Sequence, residues 1–218
     1  MNTIRNFTKG HGATTLAYGA PNPLADSILV ALFATGTANF TLSGGVSGGG
    51  NWQRPLATIL GDNSQNSAGF YCVAAGGATT VTCSVTIVEG VLLEIAGSGL
   101  AFVVAIVNDL AGAVAVNSGT LVTPPTFSQG FAIGWNCWSG ANAPVYNGVG
   151  WVKVGTSEVN NETMDVFFQH VTGPNQQLRV TSSNSNVTGP GSGILLFSAD
   201  ALSDPPRFSG LSPQQRAA

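Results

Sequence analysis

Residues 78–87 read Ala78-Thr79-Thr80-Val81-Thr82-Cys83-Ser84-Val85-Thr86-Ile87, a regular alternation of hydroxyl-bearing and apolar side chains. Successive side chains of a β-strand point to opposite faces, so this alternation predicts a strand with one buried face. The apolar members from Val81 to Ile87 are expected to face a core, and the hydroxyl-bearing members from Thr80 to Thr86 to face water.

Directly before this strand lies the dipeptide Gly76-Gly77, which follows a second apolar run that starts at Ala68. Glycine reaches the positive φ angles that a tight hairpin turn requires. We therefore predict an antiparallel hairpin over 68–87, with its turn at the two glycines.

Two of the three cysteines, Cys72 and Cys83, lie on the two arms of this predicted hairpin. A two-residue turn would place them diagonally, about 7–8 Å apart, whereas the Cβ atoms of a disulfide lie about 3.8 Å apart. A four-residue turn over 76–79 would place them opposite each other and allow a bond. We favour free, buried thiols, for Cys137 as well, because unbonded cysteine packs like a small apolar residue.

The rest of the chain repeats the same signature of short apolar runs bounded by Gly, Pro, Asn and Ser, without sustained helical spacing. This pattern predicts an all-β fold, a jelly-roll-like sandwich of two antiparallel sheets with almost no helix. Strands are expected near 13–18, 27–35, 38–43, 52–60, 68–74, 79–87, 91–96, 100–107, 112–116, 130–137, 145–154, 163–171, 176–182 and 193–199.

The strand pattern predicts one sandwich domain over residues 13–200. Residues 1–12 and 201–218 lack the pattern, and we expect them to form extended N-terminal and C-terminal arms. The C-terminal arm is rich in Pro, Ser and Gln, a composition that suits an extended path better than a packed element.

The C-terminal arm carries residues that suit a contact with another subunit. Pro205-Pro206 favours an extended backbone, and Phe208 and Leu211 beyond it have no local pattern that would bury them. We expect these two side chains to anchor in a groove of a neighbouring subunit, with Arg207 adding polar contacts at the rim. The alternative is a disordered tail, because chain ends are often loose.

Charge is scarce in this chain of 218 residues: 8% of the residues are charged and the net charge is −3. An average soluble domain has roughly 25% charged residues, and a surface so poor in charge is weakly protected against association. We expect a homo-oligomer or a subunit of a larger particle; the alternative is a monomer kept soluble by hydroxyls and amides.

Clustered Lys and Arg are absent, so nucleic acid is not an expected ligand. The apolar run 28–34 is too short for membrane insertion.

Candidate chemistry in the sequence is sparse. Gly45-Val46-Ser47-Gly48-Gly49 matches the G-x-S-x-G pattern, but that nucleophile requires a strand-to-helix turn, and no helix is expected here. The two histidines, His11 and His170, have no ligand spacing between them, and the cysteines form no C-x-x-C pair. We therefore expect no catalytic residue, no cofactor and no metal site, and a protein that is not an enzyme.

Four tryptophans raise sugar binding as a second kind of function. Trp135 and Trp138 have opposite parity along a predicted strand, so one of them could point outward and stack on a ligand. The alternative, which we favour, is core packing, because tryptophan is highly buried on average.

Five segments carry a combined pattern of strands and turns: ADSILVAL (25–32), NW (51–52), GFYCVAAGGATTVT (69–82), GFAIG (130–134) and GILLF (193–197). Together they resemble a β-sandwich module found in phage tail, fibre and virion-surface proteins and in bacterial surface proteins. The resemblance covers most of residues 13–199, and it carries no catalytic residues.

This resemblance implies a non-enzymatic structural protein of a phage particle, as a capsid-surface (decoration), tail or fibre subunit. Such a protein would reside in the virion and act through contacts with its own copies and with other virion proteins. The alternative is a carbohydrate-binding or adhesive module for attachment to a host or cell surface, with a surface glycan as the ligand. The N-terminus has no continuous apolar stretch typical of a secretory signal, which favours the first hypothesis.

Overall fold

The computed structural model describes residues 3–36, 41–43, 52–55, 66–97, 99–109, 113–139, 143–159, 162–183 and 187–199. Within these ranges the chain forms strands and connecting turns and no helix. No helix that could span a membrane occurs in the described ranges. The strands are β1 (Thr3–Gly10), β2 (Thr15–Ala17), β3 (Ala25–Thr35), β4 (Leu42–Ser43), β5 (Asn66–Ala75), β6 (Thr80–Cys83), β7 (Ile87–Ala96), β8 (Ala101–Asp109), β9 (Ala113–Val114), β10 (Leu121–Val122), β11 (Gln129–Ser139), β12 (Val152–Val159), β13 (Glu162–Thr172), β14 (Gln177–Leu178) and β15 (Val187–Ser198).

Two antiparallel sheets pack face to face and confirm the predicted sandwich. The first sheet has the order β1-β7-β3-β5, and the second has the order β12-β13-β11-β15-β8, with β9 also paired to β15. Among the strands of these two sheets, the chain crosses from the first sheet to the second once, between β7 and β8. The fold therefore resembles a jelly roll in that two sheets pack face to face. It differs in strand order, because the chain does not alternate between the two sheets.

The central strands β3 and β11 are buried on both faces. Every residue from Ser27 to Thr35 and from Gly130 to Trp138 is buried. A continuous apolar run such as residues 28–34 results when both faces of a strand are covered. The core between the sheets is formed by Ile28, Val30, Leu32, Val91, Leu93, Ile95, Phe131, Ile133, Trp135, Met164, Val166 and Phe168.

Each main sheet also has a covered outer face. The small sheet β2-β6-β4 covers the first sheet, and Val81 and Cys83 of β6 pack with Leu29, Phe33 and Cys72. On the second sheet, the short pair β10-β14 and its flanking segments cover an outer core that includes Ala132, Trp138, Phe167, Ile194, Leu196, Val116, Leu121, Phe127, Leu178 and Val180.

The predicted hairpin over 68–87 is wrong. β5 pairs with β3, whereas β6 pairs with β2 and β4. Gly76 and Gly77 do take positive φ angles of 88° and 87°, but the turn leads the chain from the edge of the first sheet into its covering layer. The alternation is confirmed within β6, where Val81 and Cys83 are buried while Thr80 is exposed. The strand predicted near 79–87 is too long, because β6 ends at Cys83 and Ile87 begins β7.

All three cysteines are buried and no disulfide joins them, as predicted. Cys72 and Cys83 belong to the same outer core but to strands of different sheets, β5 and β6. Neither of the two turn lengths considered for the hairpin applies, because the two strands do not pair.

The extended N-terminal arm predicted for residues 1–12 is also wrong. Residues 3–10 form β1, the edge strand of the first sheet, which pairs with β7. Ile4 and Phe7 enter the sandwich core, and the Arg5 guanidinium lies 2.5 Å from the buried carboxylate of Glu94. The register shift between Ile4 and Asn6 places two core residues three positions apart, which breaks the period-two alternation that predicts a strand. The predicted C-terminal arm with Arg207, Phe208 and Leu211 lies outside the described residues.

Candidate functional site

The structure buries both tryptophans that sequence analysis offered as ligand-stacking residues. Trp135 is 0% exposed in the core between the sheets, and its Nε1 lies 3.3 Å from Ser67 Oγ, to which it donates a hydrogen bond. Trp138 is 6% exposed in the outer core of the second sheet. Their opposite parity is confirmed, but both faces of β11 are covered. Stacking on a ligand requires an exposed ring face, and neither tryptophan offers one, which corrects that hypothesis.

A different tryptophan, Trp151, is half-buried and lies directly before β12. Its Nε1 donates a hydrogen bond of 2.8 Å to the backbone oxygen of Arg179. Two glycines make room for the ring: a Cβ on Gly148 would lie 2.3 Å from Cδ1 of Trp151, and a Cβ on Gly134 would lie 3.1 Å from Cη2. The indole is therefore held in one orientation between the loop before β12 and the outer face of β11.

Trp151 separates two adjoining clefts on the outer side of the second sheet. The first has a volume of about 210 Å³ and is lined by Tyr146, Trp151, Lys153, Phe167, Val180 and Thr181, with Gly148 at its margin. The rings of Tyr146 and Phe167 meet edge to face, with centroids 4.6 Å apart. The loop that carries Tyr146 is fastened to residues 181–183 by backbone hydrogen bonds, including Asn147 N to Thr181 O at 3.0 Å.

A polar network centred on the buried carboxylate of Asp165 lies behind the first cleft. Its carboxylate accepts hydrogen bonds of 2.7 Å from Tyr146 Oη and from Thr156 Oγ1, and it lies 2.7 Å from Lys153 Nζ. Asn136 donates to Tyr146 Oη at 2.9 Å. Burial, and then the negative charge of Asp165, raises the pKa of Tyr146 far above its usual range. Tyr146 is therefore a neutral donor, and the charge of Lys153 is compensated by Asp165.

The second cleft has a volume of about 270 Å³ and combines polar and apolar lining residues: Asn147, Gln169, Gln177, Thr181 and Arg179, together with Gly148, Val149 and Trp151. The Oε1 atom of Gln169 is buried and has no hydrogen-bond partner among the described residues. Gly150, at φ +86°, packs on the same amide, because a Cβ there would lie 2.7 Å from Gln169 Nε2. The arrangement offers a fixed acceptor beside an aromatic ring.

A second candidate surface is the outer edge of β8. On one side β8 pairs with β15, and within the described ranges no strand pairs with its other side. Ala101 is exposed and residues 102–108 are all half-buried. Residues 101–108 read AFVVAIVN and include no charged side chain. The ring of Phe102 stacks on Tyr71 of β5, with centroids 4.6 Å apart, and closes the sandwich at this side.

The other edges of the two main sheets differ from β8. The edge strand β1 carries Arg5 and Lys9, and the edge strand β12 carries Lys153 and Glu158. The outer side of β5 is bonded to the segment at Gln53, which exchanges two backbone hydrogen bonds of 2.7 and 3.0 Å with Tyr71. Charged side chains and paired edges protect strands against unwanted pairing, and residues 101–108 of β8 have neither in the described ranges.

His11 and His170, the two histidines considered in the sequence, lie in different parts of the fold. Ser47 lies outside the described residues, and His170 on β13 packs its ring against Phe168, with centroids 5.1 Å apart. His11 is exposed. The described residues hold no group of three or more His, Cys, Asp or Glu that could bind a metal ion.

Comparisons with protein-family models, curated proteins and solved structures found no match to this chain. The resemblance to phage and bacterial surface modules therefore stays a prediction from the sequence.

Proposed function

We propose that this chain is a non-enzymatic structural subunit of a larger particle and acts through protein–protein contacts. The observation that carries the proposal is the outer edge of β8, which along residues 101–108 has no charged side chain and no paired strand within the described ranges. The sequence resemblance points to a phage particle, with the chain at the capsid surface, in the tail or in a fibre, and therefore to the virion as its location.

An open strand edge presents a row of backbone N–H and C=O groups that can pair with another strand. Along residues 101–108 this row is flanked by half-buried apolar side chains such as Val104 and Ile106. Pairing would satisfy the backbone groups and would remove the remaining apolar surface from water, which contributes about 25 cal/mol per Å² of area.

The partner that fits this edge best is a second copy of the chain. Two copies related by a two-fold axis bring the same strand together in antiparallel orientation. Like charges directly opposite each other would destabilise such a pair, but residues 101–108 carry none. The low overall charge of the chain, 8% of residues, favours association in the same way.

The size of the full chain in solution tests this proposal, by light scattering coupled to gel filtration. We expect the native chain to form a dimer or a larger oligomer, and Val104→Lys to shift it toward monomer because each paired strand would then carry a lysine on the uncharged stretch. Ala101→Lys, at an exposed position, is a milder second variant. Val122→Lys places the same change on another half-exposed strand position and should leave the oligomer intact.

A native chain that stays monomeric at high concentration would contradict the proposal. Oligomers that persist in both Val104→Lys and Ala101→Lys, while far-ultraviolet circular dichroism shows folded β-structure, would show that assembly uses another surface.

A further inference from the structure

We infer that the two clefts that meet at Trp151 form one binding site for a neutral saccharide, a role that goes beyond assembly through β8. Both clefts share Gly148, Trp151 and Thr181 as lining residues. A ligand that lies across Trp151 would contact both.

The ring of Trp151 suits the apolar face of a sugar. It is half-buried, so part of the indole stays accessible, and its polar Nε1 is already bonded to the backbone of Arg179. A tryptophan held in this way presents a rigid apolar surface and loses little conformational entropy when a ligand binds.

The polar groups of the second cleft select a ligand that can donate hydrogen bonds. The buried Oε1 of Gln169 has no partner among the described residues, and an unmet buried acceptor costs about 1–3 kcal/mol until a donor reaches it. A hydroxyl group supplies that donor, whereas a phosphate or carboxylate supplies only acceptors. Asn147, Gln177 and Thr181 add groups that both donate and accept.

The groups that line the two clefts, taken together, favour a neutral ligand over a charged one. Lys153 is paired with Asp165 at 2.7 Å, so the first cleft has no uncompensated charge. Arg179 lies in the second cleft and donates to Asn117 Oδ1 at 3.2 Å. Its positive charge disfavours a cationic ligand, while the Gln169 acceptor disfavours an anionic one.

A glycan array that holds neutral, sialylated and sulfated glycans tests the inference on the full chain, followed by titration with the neutral glycan that binds best. We expect binding to neutral glycans. Trp151→Ala should weaken binding roughly thirtyfold or more, as for the loss of a central aromatic contact. Gln169→Leu, which keeps the volume and removes the acceptor, should weaken it about threefold to tenfold.

Trp52→Ala is the matched control, because Trp52 is another half-buried tryptophan that packs on the outer core of the first sheet. It should bind as the native chain does. An array without any neutral glycan bound, or with sialylated or sulfated glycans alone, would overturn the inference. Unchanged affinity in both Trp151→Ala and Gln169→Leu would do the same. The oligomeric state of these variants should equal that of the native chain, so failure of this site is distinguishable from failure of assembly.

Discussion

Trp135 of β11 lies directly across from Gly193 of β15, and its indole covers the bare backbone of that glycine. The two residues are register partners in the second sheet. A Cβ on Gly193 would lie 2.3 Å from Trp135 Cη2 and 2.8 Å from the backbone oxygen of Ile106 on β8. The glycine is what allows the largest fully buried side chain of the core to lie flat against its own sheet.

Gly193→Ala should therefore destabilise the fold by about 1–3 kcal/mol, the usual cost of overpacking a core. The backbone oxygen of Ile106 cannot move away without disturbing the pairing of β8. Gly36→Ala is the control, because nothing lies within 4 Å of a Cβ at that position. Urea denaturation measures the stability of both variants. Equal midpoints for Gly193→Ala and Gly36→Ala would contradict this packing.

The edge strand β1 yields a second prediction. Phe7 is 8% exposed and lies over Gly155 of β12, where an added Cβ would be 2.6 Å from Phe7 Cζ. Phe7→Ala should cost about 3–5 kcal/mol in unfolding free energy. Lys9→Ala, on the same strand but exposed, should stay within about 0.5 kcal/mol of the native chain. A Phe7→Ala variant as stable as Lys9→Ala would contradict the packing of β1 and would support an extended arm over residues 3–10.

The network at Asp165 predicts a cost for removing its cation. Asp165 is 3% exposed, and Lys153→Met would leave its carboxylate with hydroxyl donors alone. Removing one partner of a buried ion pair costs up to about 3–5 kcal/mol; because the Lys153 side chain is 38% exposed, we expect about 1–3 kcal/mol. The matched control is Lys9→Met, which removes an exposed lysine. Denaturation curves that coincide for the two variants would mean that Lys153 contributes little to holding this network.

The buried thiol of Cys72 links stability to pH. Burial raises its pKa from 9.0 to about 12, and burial raises the pKa of Tyr18 as well. The unfolded chain releases these protons first as pH rises, so the stabilisation is complete below about pH 9 and is lost between about pH 9 and 12. Unfolding free energy should fall over this interval, and less steeply in Cys72→Ala. In the native fold at about pH 8 no cysteine should react with a maleimide, whereas all three should react after denaturation. A rapidly labelled native thiol, or stability that stays level to pH 12, would contradict this account.

Local patterning predicted most of the long strands because it depends on neighbours in the sequence, but it missed β1 and placed β12 too early in the chain. Period-two alternation placed Val81 and Cys83 in a core and Thr80 outside it, and the apolar run 28–34 became the doubly buried centre of a sheet. Local patterning does not predict which strands pair with each other. Gly76-Gly77 fits a hairpin and equally fits a crossing into another layer, and β5 found its partner in β3 through packing between distant segments.

The candidate site lay beyond the reach of pattern analysis for the same reason. Parity correctly placed Trp135 and Trp138 on opposite faces of β11, but the covering layer that buries Trp138 comes from residues far along the chain. Trp151 gave one local signal, the glycines at 148 and 150 beside it. The backbone of Arg179 and the amide of Gln169, which complete the site, become neighbours only in the folded chain.

The central claim, that β8 is the surface through which copies of this chain associate, is tested most directly by hydrogen–deuterium exchange of the full chain over a range of concentrations. The backbone amides of residues 101–108 that face the open edge should exchange quickly in dilute, dissociated protein and slowly when the oligomer forms, while amides of the central strand β3 stay protected throughout. Exchange along 101–108 that is the same in monomer and oligomer would contradict the claim.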